Sequence, residues 1–158
     1  MVEEKFLIDS NSFMAPYRQY YAFDLIPTYW DELSKRTESG RLALLDMVKA
    51  EIDKGEDDLA EWVGKQTGFE ICNHVTPEII SKYQDVLQYV QSCGLYKEQA
   101  LQAWAPGHIA DPWLIAAAAV NDYTIVVNGR FCPQSVRNFC PIVAGFNAGT
   151  YKVPACVL

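Results

Sequence analysis

No stretch of this sequence is apolar for long enough to cross a bilayer. A spanning helix needs about 20 such residues, and the longest apolar run covers residues 113–120. Positive charge is also scarce. The formal net charge is −7, and it is unevenly spread. Residues 1–100 hold 18 acids against 10 Lys and Arg, whereas residues 101–158 hold two acids, Asp111 and Asp122, against three bases. A broad basic face that grips nucleic acid is therefore disfavoured. An acidic pocket is not, because a bound divalent cation inverts the local charge and admits a phosphate.

Paired cysteines are missing too. The five cysteines (Cys72, Cys93, Cys132, Cys140 and Cys156) are odd in number and show no C-x-x-C or C-x-x-x-C spacing. This argues against a zinc site or a disulfide framework and leaves them as small buried hydrophobes. No glycine-rich phosphate loop follows the first apolar run, which leads into Ser10-Asn11-Ser12. A flavodoxin-like nucleotide binder would want such a loop. The N-terminal stretch MVEEKFLID carries two acids and runs straight into apolar residues. It does not read as a secretory signal, so a cytoplasmic protein without a membrane anchor is expected.

What is present is enough for a core. Half of the 158 residues are hydrophobic and 21% are charged, the balance of one globular domain spanning residues 1–158. Lys5-Phe-Leu-Ile-Asp9 reads as a buried strand ending in a polar turn. Pro27 opens a helix whose face carries Tyr29, Trp30 and Leu33, and Gly40 ends it. Leu42-Ala-Leu-Leu45 reads as a second strand, and Met47, Val48 and Ile52 then keep helical spacing as far as Gly55. Asp57 and Asp58 open a short helix that reaches Trp62. Thr76-Pro77-Glu78 opens another, with Thr76 as its N-cap. Asp111 and Pro112 read as the N-cap and first residue of a helix that is apolar almost all round and hence central. Tyr123-Thr-Ile-Val-Val127 reads as a fully buried strand. Residues 36–40 and 65–76 read as loops. Strands alternating with helices predict an α/β fold with a central, mainly parallel sheet.

In an open α/β sheet, ligands bind outside the carboxyl ends of the strands. Asp9 falls at that end of the first strand, Asp111 heads the buried helix, and Glu51 lies on the helix after the second strand. Three carboxylates converging in one cleft suit a hard cation such as Mg²⁺ or Mn²⁺. The reaction that needs this arrangement is phosphodiester hydrolysis, in which the metal activates water and steadies charge on the phosphate. Each acid also has a plain structural reading: Asp111 as a helix cap, Glu51 as a solvated helix residue. Asp9 is the hardest to set aside, because an acid directly after Phe-Leu-Ile is costly to bury unless it is paired or coordinated.

These motifs together resemble a known family. Phe6-Leu-Ile-Asp-Ser-Asn-Ser-Phe13 resembles the opening of PIN-domain nucleases, a hydrophobic strand ending in Asp-x-Asn. Val48-Lys-Ala-Glu-Ile52 resembles their second acidic position. Ala110-Asp-Pro-Trp-Leu-Ile-Ala-Ala-Ala118 resembles their third. Within the PIN-like group, one branch described only as a domain of unknown function also has Pro-x-x-Trp, as at Pro27 and Trp30. That branch has Lys-Gly followed by Asp-Leu-x-x-Trp as well, as at Lys54-Gly55 and Asp58 to Trp62. The match covers residues 5–128. It implies a VapC-like three-layer α/β/α fold and a Mg²⁺/Mn²⁺-dependent ribonuclease, often the toxin of a type II toxin–antitoxin pair. It further implies an RNA substrate, a small antitoxin partner and a homodimer. Asp9, Glu51 and Asp111 would be the catalytic metal ligands, supported by Asn11 through hydrogen bonding. Ser10 and Asn128, at the ends of the first and last strands, are further supporting candidates.

One departure bears on activity. The family's last strand leads into Thr-x-Asp or Thr-x-Glu; here Val127 and Gly129 stand in those places, and no Asp or Glu follows Asp122. The tail over residues 130–158 is also atypical. Two origins fit it, a frameshifted end and true divergence. The alternative function is thus a PIN-like binding protein with a weakened or inactive site. Of the two histidines, His108 lies three residues before Asp111, near enough to assist proton transfer, although a plain loop histidine fits equally. Tyr17, Tyr20, Tyr21 and Phe23 suit a partner interface or the core, and base stacking on RNA is the further option.

Overall fold

Three short apolar segments build the centre of the sheet. β1 (Phe6–Ile8) buries Leu7 and Ile8 side by side, β2 (Leu42–Leu45) buries all four residues, and β4 (Thr124–Val127) buries Thr124 and Ile125. Consecutive buried residues, with no in–out alternation, mark strands covered on both faces. The computed structural model describes residues 3–94, 96–127 and 149–151. β1 runs parallel to β2 on one side (Leu7 opposite Ala43) and to β4 on the other (Leu7 opposite Ile125).

Two further strands complete the order β3-β2-β1-β4-β5. β3 (Glu70–Cys72) adds to β2 in parallel, and β5 (Gly149–Tyr151) adds to β4 antiparallel. The fold is thus mixed α/β with four parallel strands at its centre. β3 corrects the expectation of a loop over 65–76. It is an edge strand in which only Cys72 is buried and Ile71 is 50% exposed, so it leaves no apolar run to read. Residues 36–38 are likewise helical, not loop.

Helices make the parallel crossovers. α1 (Asn11–Ala15) continues into a π-helical turn (Pro16–Tyr20), closed by the Tyr21 amide donating to the Pro16 carbonyl at 2.7 Å. α2 (Pro27–Glu38) then leads to β2. α3 (Asp46–Asp53) and α4 (Asp58–Lys65) join β2 to β3. α5 (Pro77–Ser92), α6 (Glu98–Trp104) and α7 (Ala110–Asn121) join β3 to β4. Caps read from the sequence appear where expected. The Asp57 side chain accepts from the Ala60 amide at 3.0 Å, and Thr76 accepts from the Ile79 amide at 3.3 Å. Ala116, Ala117 and Ala118 of α7 are fully buried; their small side chains let that helix lie close to its neighbours. No helix among the described residues is long and apolar enough to cross a membrane.

Aromatic rings fill the space between α1, α2 and α4. Phe13 meets Phe69 edge-on at 5.9 Å, and Trp30 meets both Phe23 at 4.4 Å and Trp62 at 5.0 Å. Tyr17 and Phe23 pack against this core, and Tyr21 stacks on Tyr29 at 4.7 Å. At the amino edge of the sheet, Glu70 of β3 pairs with Lys5 and accepts from the Tyr123 hydroxyl, drawing together the starts of β1, β3 and β4. The salt bridge and the hydroxyl both hold the Glu70 carboxyl below its ordinary range.

Gly68 passes close to the end of α2. A Cβ at Gly68 would come within 2.0 Å of the Thr37 carbonyl oxygen, and Thr37 is itself fully buried. Both partners of that contact are backbone, so neither yields easily. Gly68→Ala is expected to destabilise the fold by about 1–3 kcal/mol, measured as a drop in the urea midpoint at unchanged m-value.

Candidate functional site

Asp9 is the residue that β1 delivers to its carboxyl edge. Its amide donates to the Val126 carbonyl at 2.9 Å, one rung beyond the strand proper. Its own carbonyl accepts from the Ser12 amide at 3.0 Å, so the chain turns at once into α1. The backbone amides of Ser10 and Asn11 act on its carboxylate and draw its carboxyl down. Asn11 and buried Ser10 therefore support Asp9 through the main chain. Ser12, not singled out from the sequence, ties the same turn to β4: its hydroxyl donates to Val126 O at 3.1 Å.

Asp111 reaches the same edge from α7. The helix starts two residues earlier than the sequence reading places it. Ile109 is the N-cap, Asp111 is the second residue of the first turn, and no side-chain cap bond forms. As the second residue of the helix Asp111 does not sit at the cap position, and the Trp104 indole of α6 acts on its carboxyl by drawing it down. Glu51 is exposed on α3.

The three acids share one electrostatic field. Burial first, and then the charges of Asp111 and Glu51, raise the Asp9 carboxyl from 3.8 to about 7 against the opposing Ser10 and Asn11 amides. Burial and the charge of Glu51 also raise Asp111, against the pull of Trp104. Asp9 is only half-buried and Asp111 is open to solvent. No ion pair among the described residues involves any of the three.

The donor chemistry fits a hard divalent cation: only carboxylate oxygens, mutually repelling, without a counter-charge. As the side chains stand, no three His, Cys, Asp or Glu groups among the described residues are gathered tightly enough to hold an ion. They share a field and do not yet form a coordination shell. Asn128 and Gly129, the positions expected to complete the site, lie outside the described residues, as does the Tyr20 side chain.

The edge also carries a pair that sequence reasoning missed. Asp46, the first residue of α3, grips the Nδ1 of His74 at 2.7 and 2.8 Å. No local pattern links residues 28 apart; only the pairing of β2 with β3 brings them together. His108, read from the sequence more readily as a loop histidine than as a proton-transfer group, is exposed in the turn before α7.

Comparison with known proteins follows from this geometry. The family model described as "Domain of unknown function (DUF4411)" matches residues 6–147. None of the curated proteins matches the sequence. Among solved structures, a chain of the crystal structure of VapBC2 from Rickettsia felis, bound to a DNA fragment from their promoter, superposes with a TM-score of 0.53. The identity is 14%, and the match covers 84% of this chain and 93% of that one. At that identity the likeness is one of fold.

The raised Asp9 carboxyl makes a stability prediction. Its folded value, about 7, lies above its ordinary 3.8. Its contribution is therefore fully present below the unfolded value and is lost as pH rises through about 7. Asp9→Asn is expected to stabilise the metal-free protein at pH 8 by about 1–3 kcal/mol, an advantage that shrinks toward zero near pH 4. Thermal melts of both proteins in EDTA across that range are the measurement.

Proposed function

The chain belongs to the family described as "Domain of unknown function (DUF4411)", and we propose from its site that it is a metal-dependent ribonuclease of PIN type. The observation that carries this reading is the Asp9 carboxyl, pushed up to about 7 between Asp111 and Glu51 at the carboxyl edge of a parallel sheet. Such a placement disfavours a purely structural role, because the fold would be more stable with a neutral residue there. A bound Mg²⁺ or Mn²⁺ would supply charge neutralisation, activation of water and stabilisation of a phosphodiester transition state. Asp9, Glu51 and Asp111 would hold it. The backbone amides of Ser10 and Asn11 orient the Asp9 carboxylate, and Trp104 orients that of Asp111. Asn128 is placed by the sequence at the end of β4 as a supporting residue.

Likeness in fold to a chain of VapBC2 supports the further reading of a toxin held by a small antitoxin protein and acting as a homodimer in the cytoplasm. The substrate on this reading is RNA, reached through the metal and not through a basic face.

The test is incubation of the purified chain with a mixed cellular RNA pool, in Mn²⁺ and in EDTA, beside Asp9→Asn. Cleavage is expected only with Mn²⁺, and the variant is expected to lose more than about 100-fold in rate. The second reading, a PIN-like binding protein with a weakened site, rests on the lack of any Asp or Glu after Asp122. It takes over if the wild-type chain cuts no RNA while Gly129→Glu, which restores an acid, does.

A further inference from the structure

The Asp46–His74 pair lies beside the acidic cleft, and nothing in the metal reading uses it. Continuing the β1–β2 register puts Asp9 opposite Leu45, and Leu45 is opposite Cys72. Asp46 therefore leaves the sheet one residue past the level of Asp9, on the neighbouring strand, and His74 leaves it two residues past Cys72. The link to the cleft is also direct on the helix side. Trp113, two residues after Asp111 on α7, meets the His74 ring edge-on at 4.8 Å.

The imidazole is held on several sides. Both Asp46 oxygens face Nδ1, at 2.7 and 2.8 Å, and Oδ1 also accepts from the His74 amide at 3.3 Å. Trp113 is itself fixed, stacked on Tyr83 at 3.7 Å and donating its indole N–H to the Gly107 carbonyl at 3.0 Å. A carboxylate on Nδ1 sets the tautomer with hydrogen on that nitrogen and leaves Nε2 as the working atom. Nε2 makes no hydrogen bond among the described residues, and the side chain keeps 22% of its surface open. Next to it, Val75 is 60% exposed, an apolar shelf beside a polar tip.

We propose that His74, oriented by Asp46 and Trp113, is a ribose-binding residue that recognises a 2′-hydroxyl of the RNA strand next to the cleft. Two facts select this ligand. Two strand spacings separate the ends of β1 and β3, roughly 10 Å. That spacing suits a nucleotide next to the scissile bond better than the scissile bond itself. In its neutral form Nε2 accepts a hydrogen bond, which a phosphate oxygen cannot donate. The 2′-hydroxyl donates and accepts, and it is the group that distinguishes RNA from DNA at a given position.

The inference rests on the ribonuclease reading, and its test separates the two. The probe is a short single-stranded RNA cleaved in Mn²⁺, together with the same oligonucleotide carrying one 2′-deoxyribose at each position in turn. With wild-type protein, one position other than the cleaved nucleotide is expected to lower kcat/KM by about tenfold, the scale of one hydrogen bond. His74→Phe keeps a ring against Trp113 and is expected to cut the all-ribose strand about tenfold more slowly. It should be indifferent to the deoxyribose at that position, so that the double-mutant cycle closes. His74→Gln, which retains a hydrogen-bonding tip, serves if the Phe variant does not fold. RNA cleavage without any such position, or a penalty that survives in the His74 variants, overturns the assignment and leaves the nuclease reading standing. No RNA cleavage by the wild-type chain overturns both.

Discussion

The arrangement depends on one rung of hydrogen bonding, the Asp9 amide to the Val126 carbonyl at 2.9 Å. It extends the β1–β4 ladder by one residue and so fixes where the first strand stops. Ser12 donates its hydroxyl to the same carbonyl at 3.1 Å, which locks the turn after β1 against the end of β4. A carboxylate on a free turn would swing away from its like-charged neighbours. Asp9 has no such freedom, and the backbone holds it in the field of Asp111 and Glu51. This is the preorganisation that a cation site on rigid elements needs.

The two ends of the sheet treat charge in opposite ways. At the amino edge, Glu70 is met by Lys5 and Tyr123, and its carboxyl is held low. Glu4 there also accepts from the Thr124 hydroxyl at 2.7 Å. At the carboxyl edge, Asp9 and Asp111 are both raised, first by burial and then by each other or by Glu51. The fold satisfies its acids at one edge and leaves them repelling at the other. The contrast cannot come from the acidic composition alone, since that would act on both edges.

Much of this was legible in the sequence because burial on both faces leaves a plain mark. Leu7 and Ile8, the four residues of β2, and the alanines of α7 are contiguous apolar stretches that need no partner to be recognised. Asp9 and Asp111 could be placed because they follow or open such stretches. What was not legible depends on long-range pairing. β3 has a single buried residue and exists as a strand only because β2 offers it an edge. Asp111 reads as a cap from its neighbours in sequence; the Trp104 indole that engages it comes from a different helix. Asp46 and His74 meet through two strand ends, so spacing along the chain carries no trace of them. Within the aromatic segment, Phe23 became core because α4 supplies Trp62 against it, and Tyr17 packs on Phe23, which again is a property of the packing.

The position at which the sequence departs from its resemblance, Gly129, has a physical consequence beyond lost affinity. Asp9 already titrates near neutrality under the influence of two other carboxylates. A cation entering the site must displace that proton, so part of its binding free energy goes to deprotonation and affinity depends on pH. A fourth acid in the same field would push the carboxyls higher still, increase the repulsion stored in the empty fold, and strengthen the pull on a cation once they were ionised. Three carboxylates lower both quantities. On the proposed reading, a chain with glycine at 129 would be a more stable metal-free protein and a weaker cation binder than one with a fourth acid.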